Sequence, residues 1–324
     1  MSRQWRIGLA ALLEASLLIG CLYWIAEGTP DSWVRDAMRE FVVAISEYAD
    51  DRVAGFLIVP QNGEELLTVG GSPDLPLATE YVAAIDGFGR EDLFYGYEDD
   101  DRATPLDAQQ WMIAYLDRAE DLGIEVLVTD YCRTPSFVDA SYAQSEAKGY
   151  ASYAAPSREL DVIPTSPPRN RSNTSIASLS DVRNLLYLIN PSRFATKAAF
   201  LGALAATDYD LLLVDLDIDG APLTATDVAR LKTKANGGTR LVLCYLSIGE
   251  AEDYRSYWEP GWSESPPSWL GEENPDWPGN YAVEYWDSKW RAIVLAMLDR
   301  VLAAGFDGVY LDRIDAYEQF ESDA

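Results

Sequence analysis

The sequence predicts an α/β fold: a single (β/α)8 TIM barrel over residues 29–324, behind an N-terminal signal peptide or membrane or lipid anchor over residues 1–28. Three observations predict it. Short, β-rich apolar runs alternate with helical patterns, the arrangement of βα units on a parallel sheet. The runs number eight, as a closed barrel needs. Their near-continuous hydrophobicity suits strands covered on both faces.

The runs lie at 56–59, 81–85, 125–128, 160–163, 185–189, 211–214, 241–245 and 308–311. Between several of them the apolar residues fall at helical spacing. A helix over 105–122 opens on Thr104-Pro105 and stops at Gly123. Another over 224–235 opens Thr-Ala-Thr-Asp and stops at Gly237-Gly238, and a third over 289–304 stops at Gly305. A fourth, over 32–48, precedes the first strand, and no helix is left to cover the last one. The N-terminal helix is therefore expected to pack where the final helix of the barrel would sit. The Pro, Ser, Arg and Asn-rich stretch 165–173 reads as a flexible loop.

Composition narrows the function. With 48% hydrophobic and 12% aromatic residues the chain can bury a full core. A formal net charge of -28 repels nucleic acid and anionic membrane surfaces, and suits a cationic ligand or a salt-adapted surface. There is no histidine, which removes Ser-His-Asp and Cys-His catalysis and histidine metal ligands together. The cysteines, Cys21, Cys132 and Cys244, are far apart and carry no metal or disulfide pattern. At the N-terminus, Arg3 and Arg6 precede an apolar run, as in a secretion signal or anchor, and Leu18-Ile19-Gly20-Cys21 looks like a lipobox. A secreted or envelope-anchored protein follows, with Cys21 as a candidate lipidation site and membrane attachment through this segment.

Acids and amides recur just past the strand runs, where such barrels build their sites. Gln61-Asn62-Gly63-Glu64-Glu65 follows the first run, Asp86 the second and Asp130 the third. Asp215, Asp217 and Asp219 follow the sixth, Glu250, Glu252 and Asp253 the seventh, and Asp312 and Asp315 the eighth. Glycoside hydrolysis needs such a set: a carboxylic acid to protonate the leaving oxygen and a carboxylate to act on sugar or water. Trp258, Trp262, Trp269, Trp277, Tyr281, Tyr285 and Trp286 crowd the connection before the last strand, as stacking surfaces for sugar or as packing for that loop. Asp215 to Gly220 has the opening of a calcium loop but lacks its terminal Glu, so no metal is expected.

The segment Tyr245-Leu246-Ser247-Ile248-Gly249-Glu250-Ala251-Glu252-Asp253-Tyr254-Arg255 is similar to a strand-end motif of glycoside hydrolase family 114, the endo-α-1,4-polygalactosaminidase-like barrels. So are Trp277-Pro278-Gly279-Asn280-Tyr281, residues 305–312 (Gly-Phe-Asp-Gly-Val-Tyr-Leu-Asp) and Pro60-Gln61-Asn62-Gly63-Glu64-Glu65-Leu66. The resemblance implies a secreted glycosidase that cuts α-1,4-linked galactosamine polymers, a cationic amino-sugar polysaccharide, without a cofactor. It implies Asp312 as one catalytic carboxylate. The partner Glu, on the barrel strand after the Asn-Gly motif, is placed at Glu65, with Glu64 as the near alternative. Asn62, Asp86, Asp130, Asp215, Tyr245, Glu250, Asp315 and Trp286 make up the expected substrate-binding set. In the family the chain starts near Asn184 and ends near Pro164, so this order implies a circular permutation. A non-catalytic cell-surface polysaccharide-binding barrel is the competing reading.

Overall fold

A computed structural model describes residues 32–321. The predicted segment 1–28, with Cys21, lies outside the described residues. Eight parallel strands form the centre: β1 (Leu57–Pro60), β2 (Gly87–Glu91), β3 (Glu125–Tyr131), β4 (Ala151–Ala155), β5 (Leu185–Tyr187), β6 (Leu211–Asp215), β7 (Leu241–Ser247) and β8 (Gly308–Asp312). β1, β8, β7, β6 and β5 pair in that order, and β2, β3 and β4 form a second parallel set. Single parallel bridges, Gln61 to Gly89 and Ser152 to Asn184, join the two sets at both edges. The result is the ring order of a TIM barrel, and β5, β6, β7 and β8 are buried almost throughout, as their apolar sequences require.

Six of the eight predicted runs are strands at the expected places. The other two are not. Residues 81–84 belong to a helix, α2 (Thr79–Ala84), whose apolar side buries Tyr81 and Val82, and the strand follows at Gly87–Glu91. Residues 160–163 lie in a loop, and the fourth strand is the small-residue segment Ala151–Ala155.

The remaining helices alternate with the strands: α1 (Ser32–Asp50) ahead of β1, then α3 (Leu106–Asp121), α4 (Pro135–Lys148), α5 (Lys197–Ala205), α6 (Ala225–Leu231), α7 (Ser288–Ala304) and the short α8 (Tyr317–Glu321). Local chemistry sets their ends. Thr224 and Asp227 cap the start of α6 reciprocally, and Asp287 accepts the Lys289 N–H at the start of α7. α1 docks between α7 and the β1–α2 connection. Tyr285 Oη and Arg291 donate to the carbonyls of Val34 and Ala37, and Arg39 donates to those of Leu66 and Thr68.

Between β7 and α7 the chain makes a three-stranded antiparallel sheet of Glu250–Glu252, Asn280–Val283 and Leu270–Glu273, with Asn280–Val283 in the middle. Trp258, Trp262, Trp269 and Tyr281 pack into one aromatic cluster that reaches Trp290 of α7. Most of the aromatics crowded into this connection thus hold it against the barrel.

Candidate active site

The carboxyl ends of the strands open into a cleft of 690 Å³. Asp312, last residue of β8, stands in its wall together with Asn62, Asp215, Tyr245, Glu250 and Asp315. Six of the predicted site residues are thus brought together, and five others are not. Asp86 precedes β2 rather than following a strand; it sits at the foot of the barrel, where its carboxylate accepts the Ile58 N–H at 2.9 Å. Asp130 is fully buried on the outer side of β3, accepting the N–H groups of Phe94 and Tyr95 and the Ser141 hydroxyl. Alternate residues of a strand face opposite ways, so Tyr131 points into the cleft and Asp130 cannot. Trp286 packs against Trp33, Tyr285 and Phe320, away from the cleft.

Glu64 and Glu65 lie on a single 3-10 turn, Glu64–Leu67, just beyond Asn62 and Gly63. Glu64 is buried and paired with Arg90 at 3.0 Å. Glu65 accepts the Tyr317 hydroxyl at 2.8 Å. Neither lines the cleft. The carboxylate that faces Asp312 is Glu91, last residue of β2. The sequence signal for it lay in the position, the end of the barrel strand after the Asn-Gly motif, and was lost because β2 was read six residues too early.

Glu91 is held by uncharged donors. The amide of Gln61 and the hydroxyl of Tyr131 bond its carboxylate directly, and Asn62 Nδ2 reaches it at 3.3 Å while Asn62 Oδ1 accepts its N–H. Gln61 is fixed in turn, since Tyr187 Oη donates to its Oε1 at 3.1 Å. Asp312 is held in the same style, by Tyr245 Oη at 2.7 Å and the Arg313 N–H at 2.8 Å. The other recessed acids of the cleft are in ion pairs. Arg255 lies between Asp215, at 2.6 Å, and Glu252, at 2.5 Å. Arg313 reaches Glu250 at 3.0 Å, and Arg300 reaches Asp217 at 2.8 Å.

Electrostatics follow from this difference. Burial, and then the charge of Glu91, push Asp312 up to about 7 against only the Tyr245 bond and the more distant Arg313 charge. Glu91 is raised too, by burial and by neighbouring Asp92, with the Tyr131 bond and the Arg158 charge opposing. Two facing carboxyl groups, both shifted up and neither ion-paired, suit proton transfer near neutral pH.

Two glycines make the geometry possible. A Cβ on Gly89 would sit 2.1 Å from the Tyr310 hydroxyl, so β2 must be bare there for the Tyr310 ring to fill the barrel beneath the two acids. A Cβ on Gly249 would meet the Arg313 carbonyl at 2.0 Å, so the β7 turn carrying Glu250 can press against the β8 turn only with glycine. At the mouth, Tyr254 and Trp277 are the exposed rings of the cleft wall, 63% and 44% accessible.

Residues 188–324 match the model of glycoside-hydrolase family GH114. An uncharacterized protein of Deinococcus radiodurans is 50% identical over 123 residues, 38% of each chain. One from Methanocaldococcus jannaschii is 37% identical over 151 residues, 44% of this chain and 43% of its own. One from Thermotoga maritima is 42% identical over 115 residues, 36% of this chain and 35% of its own. The chain spans less than half the length of these curated relatives. The crystal structure of Aspergillus fumigatus Ega3 in complex with galactosamine overlaps 48% of this chain and 50% of that one, at 25% identity and a TM-score of 0.29, a score at which the overlap carries no weight. The resemblance read from the motifs is matched over the C-terminal part of the molecule: across residues 188–324, with Asp312 inside the match, the chain is GH114-like.

Proposed function

We propose that this protein is a glycoside hydrolase acting on an α-1,4-linked, galactosamine-containing polysaccharide, with Asp312 and Glu91 as its carboxylate pair. One observation carries the reading. Among the recessed acids of the cleft, Asp312 and Glu91 are held by neutral donors without an arginine, while Asp215, Asp217, Glu250 and Glu252 are in ion pairs with arginine. An ion-paired carboxylate is poorly placed to exchange protons; one held by hydroxyls and amides can do so. Asp312, pushed up to about 7, keeps its proton into the neutral range and serves as the general acid on the glycosidic oxygen. Glu91, aimed by Gln61, Asn62 and Tyr131, serves as the carboxylate that acts on water or on the anomeric carbon. Tyr254 and Trp277 offer flat faces for sugar rings at the mouth. The net charge of -28 attracts a polycationic, unacetylated polymer to such a cleft.

Two further expectations extend the proposal. The chain is a circularly permuted member of its family: the family match begins at residue 188, just past β5, while β1 to β4 and the Asn62-Gly63 motif precede it, and α1 packs against both α7 and α8. The basic and apolar segment 1–28 exports the protein to the cell envelope or beyond, as a cleaved signal, an anchor or a lipoprotein at Cys21.

The test is release of reducing ends from de-N-acetylated α-1,4-galactosaminan by wild type, Asp312→Asn, Glu91→Gln and Glu65→Gln. The first two variants lose about 10³-fold in rate, and Glu65→Gln stays within roughly threefold of wild type. Loss in Glu65→Gln with retention in Glu91→Gln would overturn the pair. Tight polymer binding by wild type with no cleavage would leave a polysaccharide-binding barrel in place of an enzyme.

A further inference from the structure

The loop after β4 brings Arg158 into the cleft wall, and no reading of the sequence gave it a role. Its guanidinium lies over the ring of Tyr131, 3.9 Å from the centroid. It is locked there from three sides: by Asp92 and the Gly96 carbonyl, at 2.8 and 2.9 Å, and by Asp100 at 2.8 Å. The Tyr131 hydroxyl beneath it donates to Glu91. We infer that Arg158 is a positioning residue: from the face of the Tyr131 ring it aims that hydroxyl at Glu91 and sets a fixed positive charge behind it. The inference rests on the reading of Glu91 as a working carboxylate, but its test is independent of activity.

The surroundings of Glu91 show why the job falls to Arg158. On its own strand stand Arg90 and Asp92, and Arg90 is already taken up by Glu64 on the β1 side. From β8 come Asp312 and Tyr310, from β5 Tyr187, from β3 Tyr131, and from the end of β1 the neutral Gln61 and Asn62. Asp92 and Asp312 both disfavour the Glu91 carboxylate, and the tyrosines bring no charge. Arg158 is the cation that opposes them from the β4 side. A guanidinium over a ring also polarises the phenol beneath it, which strengthens the bond the phenol donates.

The experiment is a 13C NMR titration of the glutamate carboxyl carbons in the full chain, with Glu91→Gln to assign the Glu91 signal. It is run on wild type, Arg158→Lys, Arg158→Met and Tyr131→Phe. The Glu91 midpoint is expected to move up by roughly one pH unit in Arg158→Met and in Tyr131→Phe, with Arg158→Lys between them and wild type. Arg158→Met also loosens the loops that Asp92 and Asp100 anchor, so its fold is checked by near-UV circular dichroism. Tyr131→Phe measures the phenol's own share, and Arg158→Lys carries the test if Arg158→Met does not fold. An unmoved midpoint in each folded Arg158 variant, with only thermal stability lowered, would reduce Arg158 to a clamp between loops and overturn the inference, whatever Tyr131→Phe does. A moved midpoint in a protein that cuts no amino-sugar polymer supports the inference while the glycosidase reading fails.

Discussion

The Tyr245→Phe substitution tests the assignment of the acid most directly. Tyr245 Oη lies 2.7 Å from Asp312 Oδ2, and the bond favours the ionised form of Asp312. A hydrogen bond to a charged group contributes about 1.5–3 kcal/mol. The protonated acid keeps part of it, because its carbonyl oxygen still accepts from the phenol. A net difference of about 1.4 kcal/mol between the two forms equals roughly one pH unit. Removing the hydroxyl therefore raises Asp312 from about 7 to about 8. If Asp312 must carry a proton to act, activity falls as pH rises through its midpoint. The alkaline limb of kcat/KM, which reports the free enzyme, should then move up by about one unit in Tyr245→Phe. The assay is polymer cleavage followed across the neutral range at fixed ionic strength. An alkaline limb that stays in place, or moves down, would refute Asp312 as the proton donor.

Three further outcomes are expected of the same fold. Burial holds the folded-state value of Asp312 above its ordinary 3.8, so stability present below that value is lost as pH rises toward 7. Asp312→Asn escapes the loss and should melt a few degrees above wild type at alkaline pH while being inactive, a gain of about 1–2 kcal/mol once the open edge of the carboxyl is discounted. Gly89→Ala drives a methyl into the Tyr310 hydroxyl and should cost about 1–3 kcal/mol in urea unfolding, with activity reduced through the displaced ring. Lys234 and Asp210 form a fully buried ion pair at 2.5 Å, and Lys234 also donates to the carbonyls of Ser172 and Thr174. Lys234→Met leaves Asp210 charged and buried, so a loss of about 3–5 kcal/mol is expected by thermal denaturation, with hydrogen exchange accelerated near Ser172.

The fold was legible where the physics is redundant. β1, β3, β5, β6, β7 and β8 announce themselves because both faces are buried and nearly every residue is apolar. β2 does not, because Gly87-Phe88-Gly89-Arg90-Glu91 gives up a side chain at Gly89 to the Tyr310 ring and ends in two charges, one toward Glu64 and one into the cleft. The apolar side of α2 just before it supplied a more strand-like pattern in the wrong place. That slip inverted the barrel locally, putting Asp86 at the rim in expectation and at the foot in fact, and it hid Glu91. β4 failed for a related reason: Ala151-Ser152-Tyr153-Ala154-Ala155 has small residues where a strand pattern wants branched ones. The acidic rim itself was readable as a set, since Asp215, Glu250, Asp312 and Asp315 all sit just past correctly placed strands. Which of its members are neutralised was less so, because Arg255 meets Asp215, Arg300 meets Asp217 and Arg313 meets Glu250 only through the closed ring of strands.

The charge of -28 has two explanations, and salt separates them. If the acids are a salt-adapted surface, their mutual repulsion destabilises the fold at low ionic strength. Raising salt shortens the screening length from about 10 Å at 0.1 M to about 3 Å at 1 M, so the melting temperature should climb. That repulsion acts whatever the acids are for, so the discriminating readout is the polymer. If the acids serve to gather a polycation, polymer affinity should fall steeply, by about tenfold or more over the same range, as screening cancels the attraction. The ion pairs inside the cleft sharpen the contrast. Asp215, Asp217, Glu250 and Glu252 are matched by arginines, so the attraction must come from exposed acids such as Asp219 and Glu159 at the mouth and from the surface beyond it. Those are the charges salt screens best. KM measured against sodium chloride, beside melting curves, therefore decides the matter. A rising melting temperature with an unchanged KM would remove charge as an argument for a cationic substrate and leave that proposal on the carboxylate pair alone.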